Sequence, residues 1–551
     1  MNFLYFALEL YIFTLFRVSI CQLKEEYNEK YWNDMSKNII NKKIENFNDN
    51  GMNIDKSNKP KNIILFIGDG MGITMTTISR IFKNQQESKE KNITIFDQTQ
   101  LFYETFPVTG LQRTHTLDLH VGLSCANAVA LMSGQKVNGL TLGIKPTVNQ
   151  SRCDIREDDK LKNLISIKAL ENGLSVGIVT TARLTHATPG GSYASITDRN
   201  YECDADINEE DRSKCKDIAS QLLDYPANKF KVMFGGGRTN YIPKSTSDPI
   251  DVKIPGRRLD GRHLIEEWKF NNKQYKNVLY TSDELRKLNV SNLKKESQVL
   301  GLFAPSHFET YQERSENAKK YQPTLDEMVE KAIEILSKDN DKGYFLMVES
   351  GMIDIAEHYN KGYEAMVETV EFSKAIEKGV KMTEEIYKNQ NTDNKVYKSK
   401  KNQKTDTLVL VTADHAQSVT FNGYPLRTSP VMSMLTEPSN TERLWDDKPL
   451  SSVTFTSGPG FVNNWYKPDN LSEGYIRKNL TTEQLQDYKF LTPSSYLSEY
   501  NTHDGSDVPV YATGPMSLMF TGEYDNTQIG YMIKYLLCIN VKNEMNICDK
   551  N

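Results

Sequence analysis

The stretch FLMVESGMIDIAEH, residues 345–358, sets Glu349, Asp354, Glu357 and His358 directly behind four apolar residues, Phe345 to Val348. The apolar run reads as a buried strand. Burying a lone charge is costly, so carboxylates and an imidazole at such a point either face water or surround a cation. Asp354 and His358 are spaced i, i+4 and meet on one helical face, where an ion pair and a shared metal are both open readings.

Two further apolar runs end in the same way. IILFIGDG closes on Asp69, and LVLVTADH closes on Asp414 and His415. In open α/β sheets, sites lie beyond the carboxyl ends of the strands. Three such ends converging predict one polynuclear metal site. Taken singly, Asp69 in Gly-Asp-Gly is equally a turn residue, and His503 in YNTHDGSD is equally a loop histidine. The coincidence carries the argument. In HVGLSCANAVALMSGQKVNG, Ser124 stands before small and apolar residues that suit a buried helix. A serine there is an N-cap or a nucleophile placed where free helix N–H groups favour an incoming anion. No Gly-x-Ser-x-Gly elbow surrounds it, so activation as a nucleophile would have to come from metal.

The elements that must hold these residues are legible as well. The runs 62–70, 175–181, 231–237, 343–350 and 406–415 are continuously apolar, as strands covered on both faces are. Helix-like segments such as 159–172 and 324–338 lie between them. The succession predicts an α/β fold, a three-layer α/β/α sandwich around a large, mostly parallel sheet. Residues 22–60 read as a polar N-terminal arm with a short helix around Tyr31 and Trp32. The Lys/Asn-rich segment 388–405 reads as a solvated insertion, and 424–500 as an irregular insert, rich in Gly, Pro, Ser and Asn.

With 551 residues, 38% of them hydrophobic, the chain can bury a sizeable core. A net charge of −5 without a basic patch argues against a nucleic-acid partner. The first 21 residues read as a secretory signal peptide, with Ser19 and Cys21 suited to the cleavage site and an uncleaved anchor as the alternative. Export would let cysteines pair and would suit the N-x-S/T sequons at Asn92, Asn149, Asn289, Asn470 and Asn479.

In family order, NIILFIGDGMG, SVGIVTTARLTHATPGGSYAS, KVMFGGGR, RLDG, GLFAP, FLMVESGMID, LVLVTADH, FNGYPLR, GPG and THDGSDVPVYATGPM together resemble the animal alkaline phosphatases over about residues 25–540. The resemblance implies a zinc-dependent hydrolase of phosphate monoesters that works through a phosphoserine, with two zinc ions and one magnesium per chain. It implies a domain over 61–540, with 424–500 as a crown at a homodimer interface and 541–551 as a tail. Asp69, Asp414 and His415 would hold one zinc, with Asp69 also reaching the magnesium. Asp354, His358 and His503 would hold the second zinc, and Thr188 and Glu349 would complete the magnesium site. Ser124 would be the nucleophile and Arg199 the guanidinium that grips phosphate. The residue types suit these ions. Glu357 receives no role and reads as solvated.

The chain departs from the family at several places. Leu123 stands where relatives have an aspartate that orients the arginine, so Arg199 is expected to be held less firmly and phosphate to bind more weakly. Ile355 and Gln417 replace nearby histidines, while His186 is kept. Ile250, Ala304 and Gln322 fall at acidic positions of the vertebrate calcium site, so no calcium is expected. The resemblance implies Cys153–Cys215 and Cys538–Cys548 disulfides and leaves Cys125 and Cys203 without an assigned partner. Many animal members carry a lipid anchor after an apolar tail, and VKNEMNICDKN is not such a tail. Two other readings stay in view: a related phosphodiesterase or sulfatase-like hydrolase of the same fold superfamily, and a weakly active binding homologue, for which Leu123, Ile355 and Gln417 are the support.

Overall fold

The computed structural model describes residues 25–50, 58–91, 99–270, 275–316, 321–391, 404–435, 446, 448–468 and 474–539. Its centre is a ten-stranded sheet. In chain order the strands are β1 (Asn62–Gly68), β2 (Val108–Arg113), β3 (Ser175–Arg183), β4 (Val232–Gly236), β5 (Lys276–Leu279), β6 (Gln298–Leu302), β7 (Tyr344–Ser350), β8 (Thr407–Thr412), β9 (Val508–Thr513) and β10 (Gly522–Asp525). Across the sheet they run β10-β2-β9-β8-β1-β7-β3-β4-β6-β5. Every pairing is parallel except the two made by β9. All five strands read from continuous apolar runs are present. They lie side by side, which is why they show no alternation: β1, β7 and β8 are buried at every residue.

Successive residues of β1 feed opposite layers. Ile63, Leu65 and Ile67 join one core with helices α3 (Ser124–Ser133), α4 (Ile165–Glu171) and α8 (Thr527–Leu536). Ile64 and Phe66 join the other, with α2 (Ile73–Lys91), α5 (Leu325–Ser337) and α7 (Gly362–Asn391). Strand period and helix period thus produce the three layers. The described part of 424–500 forms two short two-stranded sheets and, with Val419–Phe421, a three-stranded one beside this body. No helix among the described residues is long and apolar enough to cross a membrane.

The short helix expected near Trp32 is a 21-residue helix, α1 (Glu29–Asp49). It buries Trp32, Ser36, Ile40 and Ile44, a strict i, i+4 stripe. Packing of this thin stripe, in an otherwise polar segment, carries the helix much further than local propensity suggests. The Cys153–Cys215 disulfide is present. Cys125 and Cys203 are free and buried. Cys548 lies outside the described residues, and with it the other expected pairing; the sequons at Asn92 and Asn470 lie outside them too. Asn149, Asn289 and Asn479 are exposed.

Helix α3 deserves the most support, because it carries Ser124. Every one of its residues is buried. It stops at Gly134, whose φ of 72° is left-handed and where a Cβ would meet Tyr531 N at 3.0 Å. Asn127 donates to the Asp414 carbonyl (2.8 Å) and accepts from Asn526 (3.1 Å). Just beyond the helix, the buried Lys136 ammonium donates to Asn526 Oδ1 (2.7 Å) and pairs with Asp525 (3.3 Å). Burial alone would raise the Asp525 pKa, but Lys136, His115 and the Thr527 N–H together outweigh it and hold the carboxyl well below the usual range.

Removing one partner of a buried pair leaves an uncompensated charge. Asp525→Ala should therefore lower unfolding stability by about 3–5 kcal/mol in urea titrations. Asp34→Ala, at the exposed Lys30–Asp34 pair, should cost less than about 1 kcal/mol.

Candidate active site

The order β8-β1-β7 brings three strand ends together. Asp69 follows β1, Glu349 sits in β7 opposite Ile67, and Asp414 follows β8. Helix α6 (Met352–His358) begins immediately after β7 and adds Asp354 and His358. The single turn Ala187–Gly190 after β3 brings Thr188. His503 arrives on a two-residue strand, His503–Asp504, paired with Ala416–Gln417. Ser124 Oγ lies 3.1 Å from His415 Nε2. Gly70 makes the close approach possible. Its φ is 73°, and a Cβ would lie 3.0 Å from both Asp354 Oδ1 and Glu357 Oε2.

The three histidines share one arrangement. His358 Nδ1 lies 2.7 Å from the Asn501 carbonyl, His503 Nδ1 2.8 Å from the Gly122 carbonyl, and His415 Nδ1 3.3 Å from its neighbour's carbonyl. A carbonyl only accepts, so each Nδ1 carries the proton, and Nε2 keeps a lone pair wherever the ring is neutral; burial favours the neutral ring at His415 and His503, while at His358 Asp354 overcomes burial and raises the pKa. The three Nε2 atoms converge. His358 Nε2 is 3.2 Å from His503 Nε2 and 3.2 Å from Asp354 Oδ2. His415 Nε2 is 3.3 Å from Asp414 Oδ2 and 3.5 Å from Asp69 Oδ1. The His415 and His503 rings stack with centroids 3.6 Å apart.

The lone pair of His415 facing carboxylate oxygens calls for a cation, and the neighbouring oxygens say the same. Both oxygens of Asp69, Oε1 of Glu349, Oδ2 of Asp414 and the Thr188 hydroxyl are buried without a hydrogen-bond partner. Burial, then the crowding of Asp354, Asp414 and Glu349, pushes the Asp69 pKa far up. Burial likewise pushes Glu349 to about 7 and Asp414 to about 6. Burial pushes His415 down to about 4 and His503 to about 3. Neutral imidazoles and crowded carboxylates are the donor set divalent cations take. Asp69, Asp414 and His415 form one group that could hold an ion, and Asp354, His415 and His503 form a second. His358 is equally close to Asp354 and His503. Asp69 and Glu349 form a third group with His186, and Thr188 lies two residues beyond it.

The structure thus brings all eight expected ligands to one end of the sheet. It also corrects the reading of Glu357. That side chain is fully buried, both its oxygens lack a partner, and burial, then Asp354, raises its pKa well above normal. Spacing i, i+3 from Asp354 turns it to the inner face of α6. Two supporting residues, Asn501 and Thr180, were missed. Asn501 holds His358 through its carbonyl and Gln417 through its amide (2.8 Å), and Gln417 in turn donates to Asp354 Oδ1 (2.5 Å). Thr180 donates to Glu349 Oε2. Backbone carbonyls and single amides leave no pattern in a sequence. Of the three residues expected to match the vertebrate calcium site, Ala304 is in the core, Gln322 accepts from Glu309 N (3.0 Å), and Ile250 N donates to Asp248 (2.9 Å).

A buried centre of carboxylates and imidazoles at the carboxyl ends of a parallel sheet, with a serine at a helix N-terminus beside it, defines an α/β metalloenzyme. The chain belongs to the alkaline phosphatase family, whose sequence model matches residues 60–539. It is 33% identical over 488 residues to the membrane-bound alkaline phosphatase of Bombyx mori, covering 87% of this chain and 80% of that protein. It is 32% identical over 522 residues to the tissue-nonspecific alkaline phosphatase of Homo sapiens, covering 94% and 90%. The fold is similar to that of Thermus thermophilus alkaline phosphatase, with a TM-score of 0.55 at 22% identity, covering 88% and 93%.

Cations that satisfy buried ligands bind the folded state alone and so stabilise it. Chelation should lower the thermal unfolding midpoint by about 5 °C or more, and zinc with magnesium should restore it. An unchanged midpoint would mean the orphaned oxygens need no cation.

Proposed function

We propose that the chain hydrolyses phosphate monoesters, with Ser124 as nucleophile and Arg199 as the phosphate clamp. One observation carries the reading: Ser124 Oγ stands at the start of α3, 3.1 Å from His415 Nε2, at the edge of the buried centre. Asp69, Asp414 and His415 would hold one zinc. Asp354, His358 and His503 would hold a second. Asp69, Thr188 and Glu349 would hold magnesium. When bound, these ions supply positive charge that favours the serine alkoxide and offsets charge on the transferring phosphoryl oxygens.

The chain's own residues do the rest. Ser124 Oγ bonds to phosphorus as the P–O bond to the leaving alcohol breaks, and the first N–H groups of α3 face the incoming anion. Arg199, half-buried at the rim, offers a planar fork to two phosphoryl oxygens. Water then attacks the phosphoserine, releasing phosphate and returning the hydroxyl. His358, His415 and His503 keep their orientation throughout, because backbone carbonyls hold their outer nitrogens.

The exposed sequons and the Cys153–Cys215 disulfide favour a secreted or cell-surface protein. The partner proposed for the exposed Tyr424, Tyr466, Tyr475 and Tyr496 of the 424–500 insert is a second copy of the chain.

Ser124→Ala should abolish phosphoserine trapping and lower turnover of an aryl phosphate more than about 1,000-fold, with metal content near wild type. Equal turnover in the variant would remove the assignment. Elemental analysis should find zinc and magnesium in a ratio of about 2:1 per chain, as expected for two-metal hydrolysis with a separate oxygen-rich site. Stoichiometric calcium would contradict the reading of Ile250, Ala304 and Gln322.

A further inference from the structure

Arg199 has one side-chain hydrogen bond among the described residues: Nη2 lies 2.8 Å from His186 Nε2. The carboxylates nearby in sequence are engaged elsewhere. Asp198 accepts from Ser151 Oγ (3.0 Å) and Asn200 N (2.9 Å). Glu202 takes Arg183 through both its oxygens, and also Thr185. Leu123, the residue before α3, is apolar and makes no capping bond. A guanidinium only donates, so His186 Nε2 presents its lone pair to Arg199 and the ring proton sits on Nδ1.

The ring is well placed to fix something else. Its backbone is pinned by His186 N to the Arg183 carbonyl (2.9 Å) and by Gly190 N to the His186 carbonyl (2.8 Å). Its face meets His307 edge-on, with centroids 4.9 Å apart at 81°. His186 is 7% exposed, so the acceptor it offers has little freedom to move. A long side chain held by a rigid acceptor loses less freedom when it grips an anion.

We propose that His186 is a positioning residue for Arg199, holding the guanidinium ready for phosphate in a chain where Leu123 cannot. The proposal rests on Arg199 being the phosphate clamp. It also removes the premise of an unrestrained Arg199 that Leu123 alone suggested. The rival role for His186 is that of cation ligand, since a ring nitrogen lies within 4.8 Å of oxygens of Asp69 and Glu349.

The test uses the full chain, saturated with zinc and magnesium, and reads competitive inhibition of aryl phosphate turnover by inorganic phosphate. Arg199→Ala comes first, and it should weaken inhibition. If it does not, the clamp reading fails, and this proposal with it. His186→Ala should then raise the inhibition constant and KM about 10-fold, with a smaller change in kcat and an unchanged metal content. The same substitution in Arg199→Ala should add little, because the two residues act as one unit. His186→Gln, which keeps an acceptor at similar reach and a similar volume, should restore most of the phosphate affinity. Any of three results would overturn the proposal while leaving the clamp intact: loss of a cation from His186→Ala, full additivity with Arg199→Ala, or a His186→Gln variant no better than His186→Ala.

Discussion

The rest of this structure depends on repulsion. Asp69, Glu349, Asp354 and Asp414 are crowded together, all buried, and burial favours the neutral form of the His415 and His503 imidazoles beside them. Such a cluster is strongly unfavourable in an apolar surround unless cations share it. The sheet makes the crowding unavoidable. Parallel β8, β1 and β7 all end on the same side, and each ends in a carboxylate. Fold and cation demand are therefore one property: strand order that builds a stable core also concentrates negative charge at its rim.

The supports around the centre divide into two kinds. Helix α3 is held by a polar chain from Asn127 through Asn526 to Lys136 and Asp525, buried at every link. This anchors Ser124 to the edge of the sheet opposite β5. The histidines are held instead by backbone carbonyls from loops, including Gly122 just before Ser124 and Asn501 at the end of the irregular insert. The described end of this insert is thus tied to the site through Asn501, Gln417 and His503, which explains how it ends at a defined position.

Much of this is written locally. A run of β-branched and aromatic residues ending in Asp69, Glu349 or Asp414 identifies both a buried strand and a polar terminus, because burial on both faces removes alternation. The i, i+4 spacing of Asp354 and His358 makes them neighbours on any helix. The buried Glu357 and the long α1 were misread for a common reason. Their surroundings are made by distant segments: Gly70 and Asp354 enclose the one, and the α8 layer covers the other. A polar residue's exposure depends on what packs over it, and neighbours in sequence do not record that.

Residue order alone settled the strand–helix alternation, the types of the candidate ligands and the family, since each depends on short motifs with fixed chemistry. Convergence was decided in three dimensions. Only the sheet order sets Asp69 between Glu349 and Asp414, and only loop packing turns His503 toward His358. Only the turn after β3 brings His186 Nε2 to Arg199. Hydrogen bonds act over about 3 Å, while these partners stand from 13 to more than 280 residues apart, so the contacts exist only once the chain has closed upon itself.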